Sequence, residues 1–521
     1  MRKVAYAAFA ALLLSSSATA AFAADDKGGG GKDAQVEKVE AATATAPVVE
    51  QAKTTSHVLN VGGKSIKYKA TAGTVTIRNG EGKPNASVFY IAYTADAAPG
   101  AKRPVTFLYN GGPGSASLWL TMGSVGPVRV KTGSPGNTAP APYSVEQNPY
   151  SLLDKSDLVF IDAVGAGYSR PLGEAKGKDF YGVDQDVDAF AKAIERWLEI
   201  NKRWNSPKFL FGESYGTTRS AALVNKLQED GYDFNGVVLL SSILNYGVRQ
   251  PGYDRVYTTY LPSYAATAWY HDKLANKPAD LPTFLAEVRA WADGPYTAAL
   301  AKGHNLSDAE RDAIAKQLSA YTGLSIDYLK SANLRVELGR FRKELLRDER
   351  KIVGRFDSRF EGVDSDAAGE DPESDPSSTA ISSAFITTHH DYVQNELGYE
   401  TDLEYKTRAD GANAAWDWGH RFPNGGGNNR RMLAPDTALD LANAMRTNPN
   451  LHVLSMNGWY DMATPFFGTE YDLNHMHLDG DRKNNVSFTY YPSGHMAYLS
   501  PDVAKQMRVD LERFYNEALA Q

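Results

Sequence analysis

Short apolar runs alternating with amphipathic stretches pattern the first half of the chain. From His57 onward, segments 65–70, 74–78 and 86–94 alternate or cluster β-formers between Gly and Asn turns, which predicts strands. Val105–Tyr109, 158–162, 208–211 and 237–240 are short and mostly apolar, the pattern of strands buried on both faces of a parallel sheet. Residues 184–200 instead place Val187, Phe190, Ile194, Trp197 and Leu198 on one side, the period of an amphipathic helix. Residues 217–227 have helical composition, with Ala221, Ala222, Leu223 and Leu227 available for an apolar face. Strands alternating with helices predict an α/β fold with a mostly parallel sheet.

The alternation lapses between residues 245 and 437, a stretch rich in Tyr, Trp and charge. It holds helical patterns at 281–294, 308–321 and 334–350, and an acidic, Pro-containing run at 364–375. Carboxylates in that run could hold calcium, but EF-hand spacing is missing and the composition favours a solvated loop. Strand signals return at 452–456 and 486–491, and a closing helix is expected over 501–518 with Pro501 in its first turn. The chain therefore reads as a core over 56–244 and 438–521, interrupted by a helical cap insertion over 245–437 that would lie over the sheet edge.

Ahead of the core, residues 24–55 are rich in Gly, Ala, Thr, Lys and Glu with almost no aromatics, and read as a flexible leader. Arg2 and Lys3 precede an apolar run and the small-residue site Ala21-Phe22-Ala23. This predicts a signal peptide over 1–23, cut after Ala23 with Ala20 and Ala24 as alternatives; the other reading is an uncleaved anchor. The apolar run is too short to span a bilayer. The expected destination is the bacterial periplasm or exterior, without membrane attachment after cleavage.

Composition narrows the chemistry. A chain of 521 residues with 42% apolar and 22% charged residues can bury a sizeable core. Its net charge of −7 and lack of a long basic stripe argue against nucleic-acid binding. With no cysteine, disulfides, thiolate catalysis and cysteine-based metal sites are excluded.

The stretch Gly212-Glu213-Ser214-Tyr215-Gly216 lies between a predicted strand and a predicted helix. A Gly-x-Ser-x-Gly turn in that setting exposes its serine at the carboxyl edge of the sheet; alone, so short a pattern also fits an ordinary Gly-rich loop. A serine nucleophile needs a base, and the base an orienting carboxylate, in the chain order Ser, Asp or Glu, His. Asp461 and His495 follow the strands expected at 452–456 and 486–491, so both belong at the edge that carries Ser214. His389, His390, His475 and His477 lack a metal-ligand motif and read as surface histidines; no metal or other cofactor is expected. Asn110-Gly111-Gly112-Pro113-Gly114-Ser115 follows Val105–Tyr109, where an oxyanion loop belongs, although a plain Gly-Pro turn would look the same. The backbone N–H groups of Gly112 and Tyr215 are the candidate oxyanion donors.

Together with Asp162-Ala163-Val164-Gly165-Ala166-Gly167-Tyr168-Ser169, these motifs resemble the serine carboxypeptidase family, especially its bacterial secreted members. The resemblance implies an α/β-hydrolase core and no cofactor, with Ser214 as nucleophile, His495 as general base and acid, and Asp461 as orienting acid. It also implies that Asn110, Gly111 and Glu213 hold the substrate's C-terminal carboxylate, for which Glu213 would have to be protonated. Members often carry a second Glu ahead of the Gly-Pro that follows the oxyanion loop. Ser124 occupies that place here.

The expected function is a serine-type carboxypeptidase acting on peptides with a free C-terminal carboxylate. The alternatives are an esterase or acyltransferase on the same triad, and a non-catalytic binding protein. Side-chain preference and oligomeric state are left open. So is whether Tyr168 lines the pocket.

Overall fold

The computed structural model describes residues 46–97, 102–250, 252–423 and 430–520. The segment expected to be a signal peptide, 1–23, lies outside them. Nine strands are relevant to the site: β1 (Ala52–Val61), β2 (Lys64–Arg78), β3 (Pro84–Ala95), β4 (Val105–Tyr109), β5 (Asp157–Ile161), β6 (Lys208–Glu213), β7 (Gly236–Leu240), β8 (His452–Gly458) and β9 (Val486–Tyr491). Among the described residues they form one sheet in the order β1-β2-β3-β5-β4-β6-β7-β8-β9. The first three pair antiparallel and β3 meets β5 antiparallel; from β5 to β9 all neighbours are parallel. β4, β5, β6 and β7 are buried throughout, as suits their mostly apolar sequences.

The helices are α1 (Leu118–Gly123), α2 (Val183–Ile200), α3 (Tyr215–Glu229), α4 (Arg255–Tyr270), α5 (Leu281–Trp291), α6 (Asp308–Thr322), α7 (Ser382–Asp391), α8 (Ala438–Thr447), α9 (Phe466–Asn474) and α10 (Pro501–Leu519), besides shorter turns. α2 buries Val187, Phe190, Ile194, Trp197 and Leu198 against the sheet, the stripe its sequence predicts. A mostly parallel sheet flanked by helices is an α/β architecture, and the antiparallel start and this strand order are those of an α/β-hydrolase core.

Several elements differ from the sequence reading. β1 begins at Ala52, inside the segment read as a leader, and pairs with β2 along its whole length. Just before it, Glu50 accepts two hydrogen bonds from Arg196, both 2.8 Å, and one from the Thr76 N–H at 3.0 Å. The helix expected over 334–350 shrinks to Leu338–Glu344. Asn333 and Leu334 have φ of 52° and 63° and Arg350 has 57°, values a right-handed helix cannot contain. The acidic run at 364–375 is not wholly solvated: Asp364 and Lys343 form a buried ion pair at 2.5 Å.

The 245–437 segment divides between two hydrophobic clusters. α4, α5 and α6 pack around Leu285, Val288, Leu318 and Phe341, together with Tyr460, Met462, Phe466 and Phe467 from beyond the insertion. α7 and the chain after it, through Phe385, Tyr392, Tyr399, Tyr405 and Trp416, join the main core against the sheet.

Candidate active site

β6 ends at Glu213, and Ser214 turns the chain into α3 with φ 61° and ψ −131°. This conformation is costly for a residue with a Cβ, and its surroundings hold it. The Ser214 N–H donates to the Leu240 carbonyl at 3.0 Å, while the N–H and Oγ1–H of Thr217 donate to the Ser214 carbonyl at 2.8 and 2.7 Å. The flanking glycines are a matter of space: a Cβ on Gly212 would stand 2.1 Å from the Gly216 carbonyl oxygen. Ser214 is partly exposed, and its Oγ makes no hydrogen bond among the described residues.

His495 is brought to the same place. The Ser241 Oγ–H, one residue beyond the Leu240 carbonyl that holds Ser214, donates to the His495 carbonyl at 2.6 Å. Its imidazole Nδ1 lies 2.8 Å from Asp461 Oδ2. That carboxylate is fully engaged: Oδ1 accepts from the N–H groups of Ala463 and Thr464 at 2.8 and 3.0 Å, and Oδ2 from Thr464 Oγ1 at 2.7 Å. An acceptor at Nδ1 fixes the proton there and leaves Nε2 basic, as a general base requires. Burial pulls the His495 pKa down, but the Asp461 charge and hydrogen bond outweigh it and Glu213 adds to them, so the net shift is upward.

The Gly111–Gly112 loop rests on the first residue of α3, and a Cβ on Gly111 would fall 2.4 Å from the Tyr215 nitrogen. Gly112, at φ 107°, needs the freedom glycine alone provides. The Tyr215 N–H, at the helix start, has no intrahelical partner, and neither it nor the Gly112 N–H bonds another described group. Both remain available to an oxyanion.

Asn110 and Glu213 sit together beneath this loop, both buried. The Asn110 side-chain oxygen accepts the Leu120 N–H at 3.0 Å, and its backbone carbonyl accepts from Arg219 at 2.9 Å. Arg219 is itself locked to Asp186 by hydrogen bonds of 2.7 and 3.1 Å. Burial pushes the Glu213 carboxyl up to about 7; the His495 charge and hydrogen bonds from Tyr498 and Asn110 limit the rise. Thus Ser214, Asp461, His495, Gly111, Gly112, Tyr215, Asn110 and Glu213 converge on one edge of the sheet.

Three features of the site were not read from the sequence. Tyr498 donates its hydroxyl proton to Glu213 Oε2 at 2.9 Å. Ser124 instead turns its hydroxyl to the Leu120 carbonyl at 2.6 Å. Thr464 completes the shell of Asp461, a role its position three residues on could have suggested. Third, a piece of the expected cap is woven into the loops that carry Asp461 and His495. The Phe356 carbonyl accepts the His495 N–H at 2.6 Å, the Arg355 carbonyl accepts the Met462 N–H at 3.1 Å, and the Tyr460 carbonyl accepts the Ser358 N–H at 3.0 Å. Arg359, paired with Asp357, also reaches the Pro492 carbonyl at 2.8 Å and Ser493 Oγ at 3.1 Å. No local pattern signals contacts across such a sequence distance.

One reading is corrected. His389 is buried against Tyr405 rather than on the surface, and burial drives its pKa down to about 3. Tyr168 packs in the core against Phe89, Tyr399 and Tyr405. No group of three metal-ligating side chains occurs among the described residues, and no helix among them is long and apolar enough to cross a membrane.

Residues 62–279 match the model of the serine carboxypeptidase family. That match covers less than half of the chain. It is 27% identical over 152 residues to a serine carboxypeptidase-like 36 of Arabidopsis thaliana, covering 29% of each chain. Over 116 residues it is 32% identical to a pheromone-processing carboxypeptidase kex1 of Sclerotinia sclerotiorum, covering 22% of this chain and 16% of that protein. The matches thus span less than a third of either relative. The crystal structure of a prohormone-processing carboxypeptidase from Saccharomyces cerevisiae superposes with a TM-score of 0.51 at 16% identity, over 86% of this chain and 92% of that one. At that identity the likeness concerns the fold.

Proposed function

We propose that this protein is a serine carboxypeptidase that removes C-terminal residues from peptides. The observation that carries the reading is Glu213, a buried carboxyl directly before Ser214 whose pKa of about 7 keeps it largely protonated in acid. A protonated carboxyl beside a nucleophile donates to a substrate carboxylate, whereas an ionised one would repel it. Asn110, held by Leu120 and Arg219, is the second donor.

With the terminal carboxylate held there, the last peptide carbonyl lies within reach of Ser214. Ser214 Oγ attacks as His495 Nε2 takes its proton, and the tetrahedral oxygen is met by the Gly112 and Tyr215 N–H groups. His495 returns the proton to the leaving amine. The released amino acid gives way to water, which His495 activates to hydrolyse the acyl-enzyme. Asp461, saturated by Thr464 and Ala463, stabilises the imidazolium in each half. The basic start at Arg2-Lys3, the apolar run and Ala21-Phe22-Ala23 support export to the periplasm or exterior.

Ser214→Ala is expected to abolish turnover and labelling by a serine-directed phosphonate while leaving the fold intact; wild-type hydrolysis by this variant would refute the mechanism. An esterase on the same triad would hydrolyse a peptide and its C-terminal amide at equal rates, whereas the carboxypeptidase strongly prefers the free acid.

A further inference from the structure

Two arginines approach the site from different segments without a carboxylate partner. Arg355 precedes Phe356, whose ring centroid lies 5.2 Å from the His495 imidazole, and the Arg355 Cζ lies 5.3 Å from that Phe356 ring. Arg408 forms an antiparallel bridge with Ser115 in the oxyanion loop, flanked by an Ala116 N–H to Thr407 carbonyl bond of 3.0 Å and an Ala409 N–H to Gly114 carbonyl bond of 2.7 Å. One arginine is therefore anchored on the histidine side and the other on the oxyanion-loop side. They are near enough for the Arg355 charge to act on Arg408, and also on His495 and Tyr260.

Among the described residues neither makes an ion pair. Arg408 donates only to the neutral Asn413 Oδ1, at 3.2 Å. Asp375 accepts the Arg355 backbone N–H at 3.1 Å and serves Ser377, while Asp461 is committed to His495. By contrast Arg219, Arg249, Arg289, Arg335 and Arg359 each hold a carboxylate. Solvent reaches Arg408, yet desolvation by the surrounding protein, with Arg355 adding to it, holds its pKa below the usual arginine range. Two like charges close to the site, neither with an ion-pair partner among the described residues, repel each other, and a bound anion relieves that repulsion.

We infer that the preferred substrate carries an acidic side chain, aspartate or glutamate, beside the scissile bond, and that Arg355 and Arg408 hold its carboxylate. The inference rests on the carboxypeptidase reading above and names the substrate class of that site. Asn110 and Glu213 already account for the terminal carboxylate, so the arginine pair is assigned to a second one.

The test is a panel of N-blocked dipeptides with Glu, Gln, Leu or Lys at each of the two positions flanking the bond. Each preparation is first titrated for active sites with the serine phosphonate. At low salt the wild type should prefer Glu over Gln at one position by roughly tenfold or more in kcat/KM, and this preference should shrink at high salt. In Arg355→Gln and Arg408→Gln the ratio should fall towards one, and in Arg355→Glu it should invert in favour of Lys. Because the readout is a ratio within one preparation, partial misfolding cancels. Equal rates on Glu and Gln in the wild type, or a preference surviving in both Gln variants, would overturn the inference. So would a loss spread evenly over all free-acid peptides, which would assign the pair to the terminal carboxylate. If no peptide is hydrolysed and Ser214 is unreactive, the carboxypeptidase reading itself falls.

Discussion

Glu213 sets the pH behaviour expected at the level of single residues. Its folded pKa of about 7 exceeds the ordinary carboxyl value of 4.5, so the folded protein binds a proton that the unfolded chain releases. Its contribution to stability is therefore greatest below about pH 4.5 and declines as pH rises through 7. Substrate binding should decline over the same range, since an ionised Glu213 repels the terminal carboxylate. The Tyr498 hydrogen bond favours the ionised form, so Tyr498→Phe should move the loss of binding to higher pH, by about one unit. Binding of a free-acid peptide to the inactive Ser214→Ala variant, measured from pH 5 to 9 with and without the Tyr498 change, isolates this from the chemical step. A shift to lower pH would contradict the role given to Tyr498. The candidate triad was legible in the sequence because Ser214, Asp461 and His495 each follow a strand pattern. Tyr498 was not, because pairing with Glu213 requires two loops 285 residues apart to meet.

Among elements, those with a clear hydrophobic pattern were the most legible. β4 and β9 match their expected spans, and α2 and α10 differ by a single residue at one end, because short runs of β-formers between turns and a clean 3.6-residue stripe bound an element sharply. α4 was missed; its tyrosines and threonines, with Pro262 inside, carry a weak helical period and are fixed by packing against α5, α6 and α9. At this scale His420 acts as a clasp: Nδ1 meets Asp184 at the start of α2 at 2.6 Å, and Nε2 meets Asp440 in α8 at 2.9 Å. Burial lowers its pKa, but the two carboxylates prevail and raise it to about 9. A folded pKa above the ordinary histidine value of 6.5 means the clasp is fully stabilising below about pH 6.5 and is lost as pH rises through 9. His420→Gln should therefore lower the melting temperature markedly at pH 6 and only slightly at pH 10. An equal loss at both pH values would mean that packing, not charge, holds the two helices.

For the whole molecule, the sequence indicated one core and one insertion, while the packing ties them together. Tyr460, Met462, Phe466 and Phe467, which surround or follow Asp461, belong to the hydrophobic cluster of α4, α5 and α6. Loss of that cluster should therefore disorganise the triad. Leu285→Ala, deep within it, should cost about 2–5 kcal/mol. In denaturant its loss of activity should coincide with the fluorescence change of Trp269 and Trp291 on the same helices. Activity outlasting that change would show that the cap unfolds independently of the site. The hydrogen bond from the His495 N–H to the Phe356 carbonyl has a further consequence. Because 355–359 is bonded to the loops that carry Asp461 and His495, displacing that segment would also pull on both residues, so order in the insertion and order in the candidate site should be lost together.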